Sequence, residues 1–478
     1  MAETPPPTGN FWTATGKQLL PLIALVVGIK FFVADIYGIP TGSMEPTLHG
    51  REHSGDRIFC AKVNYYFRTP RRWEVFVFKF PYEESRDYTN QDTAIYRGEY
   101  FIKRCVGLPG EEVFIAGGDI FTRRGNEAPR RQVKDDATQR PLWLPVYDED
   151  FRDLRSSAEM AHYWSAGGET RGNAGDGDFS AARLTGHSLQ IDGALTLTFR
   201  PRTHLGVLAG VPDRYVRRQY VTYQCPRCGA TRRQTVTTPK FADRCGCRQY
   251  LTEDDVRYYD FRTDYPPREI ASLREVSQIA DPSPRLDDWH YVADLREEIT
   301  FKFAAGGALS LVIADDWREA TAEFTPNNSG GKVRLIVNGK EYANVGAALP
   351  PHATAALEFY RCDGEYRAFV NGEMVFSVAP DGHELNRSQN REIERSSVQV
   401  RVRGGGEISR LAIGRDIHYF NVSPLTSSYR LPADGYMALG DNSPSSNDSR
   451  NWGPVPQKNL VGPALAVWWP LDAARAIH

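Results

Sequence analysis

The longest run of apolar positions lies near the N-terminus, where QLLPLIALVVGIKFFVADIYGI follows the stretch MAETPPPTGNFWTATGK. Leu19 to Ile39 is long enough to cross a bilayer as a helix, which takes about 20 mostly apolar residues. Lys30 and Asp35 interrupt the run, and a central lysine costs roughly 3 kcal/mol unless it snorkels or faces a partner. The pattern predicts a tail over residues 1–16 and a transmembrane helix over residues 17–39.

Two other interpretations of this apolar run stay open. A cleaved signal peptide is the first, although no convincing small-x-small cleavage site follows the run. A buried helix of a soluble domain is the second. Lys17 is almost the only flanking charge before the segment, so the charges leave the orientation of a membrane helix open.

The middle of the chain, residues 143–420, has the pattern of β-strands. Short β-branched and aromatic runs such as EITFKFAAGGALSLVIADD and ALEFYRCDGEYRAFVNGEMVFSV are broken by Asn-Gly or Gly-rich turns. Regular spacing of such strands predicts a β-sandwich. The phrases YRCDGEYRAFVNGEMV and GGGEISRLAIG are similar to concanavalin- or laminin-G-type jelly rolls. That resemblance implies a carbohydrate or a protein as a ligand of this segment.

Length and charge limit the number of domains and the classes of partner that the chain can have. With 478 residues the chain can form two or three domains with sizeable cores. The formal net charge of -2 gives no reason to expect nucleic acid as a partner. Carboxylates such as Glu358 and Asp363 show no pairing typical of a glycosidase, and we expect them at solvated strand ends.

Candidate chemistry begins with PTGSMEPTL, residues 40–48, which contains Ser43 and no neighbouring base. A serine hydroxyl needs a base within hydrogen-bond reach to act as a nucleophile. YFIKRCVGLPGEEV offers Lys103, and alternation along a strand places Phe101 and Lys103 on one face and Ile102 and Arg104 on the other. Burial there would lower the pKa of the amine, as a general base requires. A polar turn and a solvated lysine are the plain alternatives.

Four motifs follow one another in the order seen in type I signal peptidases: PTGSMEPTL, RRWEVFVFKFP, YFIKRCVGLPGEEV and GDNSPSSNDSRNWGPVP. The chain resembles that family over residues 17–118 and 425–470. The family consists of membrane-anchored serine proteases with a Ser-Lys dyad. The resemblance implies Ser43 as the nucleophile, Lys103 as the general base, and Thr41 as a side-chain donor to the oxyanion hole beside the Ser43 backbone N–H.

The resemblance also assigns supporting residues. Ser446 falls where the family has a serine that orients the lysine amine, and Asp448 and Arg450 match its supporting ion pair. Asp441 keeps the family spacing, although Ser443 and then Pro444 stand where the family usually has an arginine after Gly-Asp-Asn. The predicted walls of a pocket for small side chains are Met44 and Phe101.

A cluster of cysteines lies inside the β-rich middle, in residues 220–252. CxxC and CxC separated by 16 residues match a zinc-ribbon-like pair of knuckles with four thiolate ligands, which are Cys225, Cys228, Cys245 and Cys247. Such a closed site predicts structural Zn²⁺, with no cofactor for catalysis. Two disulfides are the alternative. The other cysteines are expected to be buried apolar residues: Cys60, Cys105 and Cys362.

The resemblance implies a mainly β fold: an N-terminal transmembrane helix, then an antiparallel β signal-peptidase catalytic domain split by a jelly-roll-like β-sandwich insert. Its parts would be residues 40–125, 143–420 and 425–478. The implied enzyme is a single-pass protein of the cytoplasmic membrane, with its catalytic domain on the trans, extracytoplasmic side. It would cleave N-terminal signal peptides from exported preproteins through an acyl-enzyme.

Membrane lipid is the other expected partner, with Trp468 and Trp469 in the interfacial zone or, alternatively, in the core. Two other functions remain as hypotheses. One is a membrane-anchored β-sandwich binding module, for carbohydrate or protein, whose peptidase segments are an inactive scaffold. The other is a self-cleaving protease of the repressor type, against which the apolar segment and the lack of a DNA-binding helix pair argue.

Overall fold

The protein is described by a computed structural model. The described residues are 33–45, 47–50, 55–85, 96, 98–149, 151, 164–166, 179–200, 202–203, 206–207, 218–224, 227–228, 231–235, 256–261, 268–270, 291–385, 393–419 and 428–478. Strands dominate them, as the sequence pattern predicts. Two compact units divide the chain, the first formed by Met1–Glu112 and Tyr429–His478, the second by Val113–Ser428.

The helices of the described residues are all short: α1 (Asn64–Phe67), α2 (Tyr82–Ser85), α3 (Asp136–Gln139) and α4 (Ser449–Trp452). In this part of the chain, no helix has the length and apolar character needed to cross a membrane. Most of the helix predicted over residues 17–39 lies outside the described residues. Its last part is wrong, because Asp35–Gly38 is a β-strand.

The strands are numbered in chain order. They are β1 (Asp35–Gly38), β2 (Arg57–Cys60), β3 (Val75–Lys79), β4 (Tyr100–Gly107), β5 (Glu112–Ala116), β6 (Asp119–Arg123), β7 (Arg130–Arg131), β8 (Leu144–Glu149), β9 (Trp164–Ala166), β10 (Ala182–Thr185), β11 (Ser188–Ile191), β12 (Leu195–Phe199), β13 (Arg202–Thr203), β14 (Gly206–Val207), β15 (Arg218–Gln224), β16 (Thr231–Thr235), β17 (Val256–Phe261), β18 (Arg268–Ile270), β19 (Leu295–Phe303), β20 (Ala308–Asp315), β21 (Glu319–Thr325), β22 (Lys332–Val337), β23 (Lys340–Gly346), β24 (Thr354–Cys362), β25 (Glu365–Val370), β26 (Glu373–Val378), β27 (Ser396–Arg403), β28 (Gly406–Arg415), β29 (Tyr429–Arg430), β30 (Gly435–Leu439), β31 (Val455–Pro456), β32 (Leu460–Trp469) and β33 (Arg475–Ala476).

The main sheet of the first unit has the order β1-β2-β32-β3-β4-β30-β31, with β33 paired to β32. Its central strand β3 reads VFVFK, and its first four residues are buried. Val75 and Val77 pack into one apolar cluster, while Phe76 and Phe78 pack into another. Because both faces of β3 are covered, its sequence is continuously apolar rather than alternating. β4 pairs with β3 and is therefore held in a well-buried position.

The contacts of strand β1 explain why the helix prediction fails at residues 35–38. It pairs antiparallel with β2, with Asp35 opposite Cys60. Asp35 also receives a hydrogen bond from Lys62 at 2.9 Å between Nζ and Oδ2. These contacts stabilise Asp35 in the sheet. Asp35, one of the two charged residues that interrupt the apolar run, therefore does not belong to a helix.

Two large antiparallel sheets make up most of the second unit. One has the order β10-β11-β28-β19-β24-β25-β26 with β8 beside β28, and the other has the order β23-β22-β21-β20-β27-β12-β9. Inward residues of both sheets, such as Ile299, Leu311 and Val400, share one apolar core. The Asn-Gly turns behave as the sequence predicts, since Asn338 and Gly339 both have positive φ, as a type I′ hairpin requires.

The expectation of solvated strand ends for Glu358 and Asp363 is wrong, because both residues are buried. Glu358 pairs with Arg296 at 2.6 Å and with Arg140 at 3.3 Å. Asp363 pairs with Lys134 at 2.8 Å. The physical reason is charge compensation: basic side chains that lie far away in the sequence come together with these carboxylates and allow their burial.

Glu297 is an exception to that compensation. It lies in β19 on the same side as the core residues Leu295 and Ile299, and it is fully buried. A backbone hydrogen bond from Val312 and the positive charge of Arg401 compensate this burial only in part. Burial raises the pKa of Glu297 well above its usual value. The folded state therefore binds this proton more tightly than the unfolded state does, and stability is lost as the pH rises above the unfolded pKa.

We predict that Glu297→Leu increases the free energy of unfolding at pH 7 by about 1–3 kcal/mol, since the leucine removes a buried carboxyl whose burial is only partly compensated. The gain should shrink at pH 3, where the wild-type carboxyl is protonated in both states. Urea unfolding at the two pH values measures both effects. Glu298→Leu, on the outer face of the same strand, is the matched control and should show no such gain. A Glu297→Leu protein that is less stable at pH 7 would contradict the prediction.

Candidate active site

The site begins where a short 3-10 turn, Gly42–Met44, follows strand β1. Ser43 lies in this turn, and Lys103 lies in the middle of β4, opposite Phe76 of β3. The Lys103 amine donates a hydrogen bond to the Ser43 hydroxyl, with 2.6 Å between Nζ and Oγ. A second bond runs from the same amine to the Ile102 carbonyl at 3.0 Å. The fold therefore brings together two residues that are 60 positions apart in the sequence.

Burial controls the charge of this amine. Lys103 is only 3% exposed, and burial lowers the pKa of its amine to about 8. Nearby Asp448 and Asp441 oppose that effect, and Arg450 adds to it. The amine lies 5.7 Å from the centre of the Phe101 ring, so Phe101 and Lys103 share a face as alternation predicts. An appreciable fraction of the amine is therefore neutral close to physiological pH.

The segment after β30 fixes the serine turn from the other side. The Asn442 backbone N–H donates to the Ser43 carbonyl at 3.1 Å, and the Asn442 side-chain amide donates to the Gly42 carbonyl at 3.0 Å. A Cβ on Gly440 would lie 2.4 Å from the Ser43 carbonyl oxygen, which is closer than any real Cβ contact. Sequence reasoning missed Asn442, although it belongs to the recognised GDN motif.

Asp448 and Arg450 form a fully buried ion pair. Arg450 donates from Nε to Asp448 Oδ1 at 2.8 Å and from Nη2 to Oδ2 at 2.7 Å. The same carboxylate accepts from the Gly440 backbone N–H at 3.0 Å. Arg450 also donates to the Ser443 hydroxyl at 2.7 Å. Ser443, where the chain departs from the family pattern, therefore joins this network rather than disrupting it.

A second buried ion pair was missed by sequence reasoning. Arg104 donates from Nε to Asp441 Oδ1 at 2.8 Å and from Nη2 to Oδ2 at 2.7 Å, and both side chains are completely buried. Arg104 also donates to the Trp73 carbonyl at 2.6 Å. The sequence did show that Arg104 points away from Lys103. It did not show that this opposite face of β4 is buried too.

Two further predicted residues, Thr41 and Ser446, lie near the serine turn. Thr41 precedes the turn in an extended conformation and is exposed, and its side chain makes no capping hydrogen bond there. Ser446 is buried, but its hydroxyl has no hydrogen-bond partner among the described residues. A Cβ on Gly440 would lie 2.2 Å from that hydroxyl, so Ser446 packs beside the loop that holds Ser43. The roles of Thr41 and Ser446 stay predictions.

The two predicted pocket walls belong to different apolar clusters. Met44 is fully buried with Leu48 and Ile58. Phe101 packs on Phe80, with 5.0 Å between ring centroids, in the cluster on the other face of the sheet. A pocket lined by both Met44 and Phe101 therefore stays a prediction.

The predicted zinc site falls almost entirely outside the described residues, which hold none of Cys225, Cys245 and Cys247. Cys228 is exposed in a turn at residues 227–228. Structural Zn²⁺ at these four cysteines stays a prediction.

The described part of the chain contains one further group of possible metal ligands. Asp294, Cys362, Asp363 and Asp416 offer ligand atoms that lie within 4.8 Å of one another. The Lys134 amine lies 2.8 Å from Asp363 and 2.9 Å from Asp416, so a protein cation already pairs with two of the carboxylates. Cys362 is buried as expected, but its Sγ lies 3.4 Å from Asp416 Oδ2, so its surroundings are polar rather than apolar.

Comparison with known proteins assigns the chain to a protein family. The model of the family described as signal peptidase, peptidase S26, matches residues 12–177 and 334–469. A probable signal peptidase I-2 from Synechocystis sp. is 32% identical over 165 residues, which cover 34% of this chain and 69% of that protein. A signal peptidase I from Leptolyngbya laminosa is 40% identical over 147 residues, covering 30% of this chain and 66% of that protein. The class is therefore that of serine peptidases. Within it, the chain belongs to the signal peptidase, peptidase S26, family and is a signal peptidase I-type hydrolase.

Solved structures match the sandwich-rich part of the chain only distantly. The laminarinase from Rhodothermus marinus covers 58% of this chain and 98% of its own at 10% identity, with a TM-score of 0.29. The galectin LEC-6 from Caenorhabditis elegans covers 25% of this chain and 81% of its own at 15% identity, with a TM-score of 0.19. TM-scores this low carry no argument about what the insert binds.

We predict that kcat/KM of this peptidase rises with pH and reaches half of its maximum near pH 8, where half of the Lys103 amine is neutral. Only the neutral amine can accept the proton of Ser43, so kcat/KM should fall about tenfold for each pH unit below that value. Initial rates on a preprotein between pH 6 and pH 10, with the fold checked at each pH, measure the profile. A flat profile from pH 6 to pH 9 would exclude Lys103 as the titrating base.

Proposed function

We propose that this peptidase is a membrane-bound serine endopeptidase that cleaves N-terminal signal peptides from exported preproteins with a dyad of Ser43 and Lys103. The hydrogen bond of 2.6 Å between the buried Lys103 amine and the Ser43 hydroxyl carries the proposal. A lysine with a lowered pKa within hydrogen-bond reach of a serine is the arrangement that makes the serine a nucleophile. The membership in the signal peptidase family supports the substrate class.

The chemistry proceeds in two stages. Lys103 takes the proton of Ser43 while the serine oxygen attacks the scissile carbonyl, and the same lysine then protonates the leaving amine. Water, activated by Lys103, hydrolyses the acyl-enzyme. The Ser43 backbone N–H and the Thr41 hydroxyl are the proposed donors to the oxyanion, each worth about 3–4 kcal/mol in comparable enzymes. Ser446 is proposed to orient the amine.

The substrate is proposed to bind extended along a strand edge, with small side chains before the scissile bond. Gly42 lacks a Cβ and lets the substrate backbone approach the serine turn closely. Met44 and Phe101 remain the proposed limits of the space for those side chains. The insert is proposed to bind carbohydrate or protein and to hold structural Zn²⁺ at its four clustered cysteines.

Attachment to the cytoplasmic membrane is the last part of the proposal. The apolar residues between positions 17 and 34 would cross the bilayer once, with the catalytic unit on the extracytoplasmic side. Exposed apolar side chains in the first unit support contact with lipid. Trp468 and Trp469 are 39% and 45% exposed, and Leu471 is 70% exposed. Tryptophan at such positions is typical of membrane interfaces.

We predict that Ser43→Ala and Lys103→Ala each lower kcat for preprotein cleavage by at least about a thousandfold, since losing the nucleophile or its base costs that much or more in a serine peptidase. Cleavage in detergent, followed by mass spectrometry of the products, measures this loss. Ser329→Ala and Lys79→Ala are the matched controls, because both residues are exposed and lie outside the proposed site. Substantial activity of a folded Ser43→Ala or Lys103→Ala protein would overturn the dyad.

We predict that the full chain stays in the membrane during alkaline carbonate extraction and that a chain without residues 1–32 is released. The deletion removes most of the apolar run and leaves strand β1, which begins at Asp35, intact. Trp468→Ala with Trp469→Ala is the matched control: it should stay in the membrane, since interfacial contacts are far weaker than a spanning helix. A deleted chain that still resists extraction would contradict the anchor.

A further inference from the structure

The second unit contains a buried contact between a lysine and an aspartate from distant parts of the chain. Lys134 lies just before helix α3, and Asp363 lies in the tight turn between β24 and β25. The Lys134 Nζ is 2.8 Å from Asp363 Oδ1, and the two residues are 229 positions apart. Their side chains are only 5% and 2% exposed. Water therefore has little access to either group.

The aspartate is held so that one oxygen is fixed and the other meets the amine. The backbone N–H of Lys134 donates to Asp363 Oδ2 at 2.8 Å, while Oδ1 contacts Nζ. The backbone N–H of Asp363 donates to Asp294 Oδ2 at 2.7 Å, which fixes the turn. A third carboxylate is next to the amine, with Asp416 Oδ2 at 2.9 Å from Lys134 Nζ. Nucleophile, carboxyl carbon and a proton acceptor thus share one dry site.

Burial opposes the charged forms of both residues, but it prevails only at Asp363. It raises the pKa of the Asp363 carboxyl, the charge of Lys134 lowers that pKa, and the neighbouring carboxylates Asp416 and Asp294 raise it. Asp363 and Asp416 stabilise the ammonium form of Lys134, so the neutral amine is the minor form. Transfer of the proton along the 2.8 Å contact gives a neutral amine beside a neutral acid. A minor form is sufficient for a reaction that each molecule carries out once.

We propose that Lys134 and Asp363 join through an intramolecular amide, an isopeptide bond between Lys134 Nζ and Asp363 Cγ. The neutral amine attacks the carboxyl carbon, and the backbone N–H of Lys134 stabilises the charge that develops on Oδ2. Asp416 accepts a proton from the attacking nitrogen and passes it to the leaving hydroxyl. One C–N bond forms, one C–O bond breaks, and one water leaves, with no oxidant or cofactor.

The bond belongs to the insert and does not depend on the proposed peptidase function. It ties the segment before α3 to the hairpin of β24 and β25, so that the insert stays connected there even when its strands separate. Failure of the peptidase tests leaves this inference untouched, and its own test needs no activity measurement.

The mass of the purified full chain tests the proposal. After denaturation, reduction and removal of metal, we expect the protein to be lighter than its sequence by the mass of one water. Trypsin should release residues 132–152 joined to residues 362–367, with Lys134 resistant to cleavage, because Pro141 blocks cleavage after Arg140. A wild-type chain with the full sequence mass, and with Lys134 cleaved normally, would overturn the proposal.

Three variants identify the reacting groups. Lys134→Arg removes the reactive amine but keeps the charge, and it should have its full sequence mass. Asp416→Asn removes the proton acceptor, and it should also have its full sequence mass. Circular dichroism confirms that this variant is folded. Lys302→Arg, at an exposed position of β19, is the matched control and should still lack one water. A Lys134→Arg protein that still lacks one water would assign the loss elsewhere and overturn the proposal.

Discussion

Burial of the Lys103 amine is the constraint on which the catalytic unit depends. An exposed lysine would be almost fully protonated at neutral pH and could not take a proton from serine. β4 lies between β3 and β30 in the sheet, so neither of its edges is open to water. The apolar sequence VFVF in β3 then has two purposes: it fills both faces of the sheet, and it removes water from the strand beside it.

The same constraint explains the arrangement of charges around the amine. A carboxylate in direct contact with Lys103 would raise its pKa and cancel the effect of burial. Asp448 is paired with Arg450 and Asp441 with Arg104, so each nearby carboxylate is already neutralised by an arginine. These pairs also hold the loop after β30 against the serine turn. Positioning of the proposed nucleophile and control of the proposed base therefore rest on the same buried network.

The sequence predicted the strand-rich fold, the Asn-Gly turns and the shared face of Phe101 and Lys103, because each depends on local patterns of two to ten residues. It did not predict the pairing of Arg104 with Asp441 or the burial of Glu358 and Asp363. Those features depend on which distant segments meet, and alternation along one strand does not contain that information. The error at Asp35 has the same origin, since pairing with β2 overrides the local apolar pattern.

Lys103 and Lys134 show how neighbours decide the fate of a buried lysine. Both are nearly inaccessible to water, and burial alone would lower the pKa of each amine. Lys103 contacts a hydroxyl and a carbonyl, so burial prevails and lowers the pKa of the amine, as its proposed role of base requires. Lys134 contacts two carboxylates, which hold its proton and at the same time supply a carbon that an amine can attack. The same residue type under the same burial thus suits the proposed proton transfer in one unit and the proposed covalent link in the other.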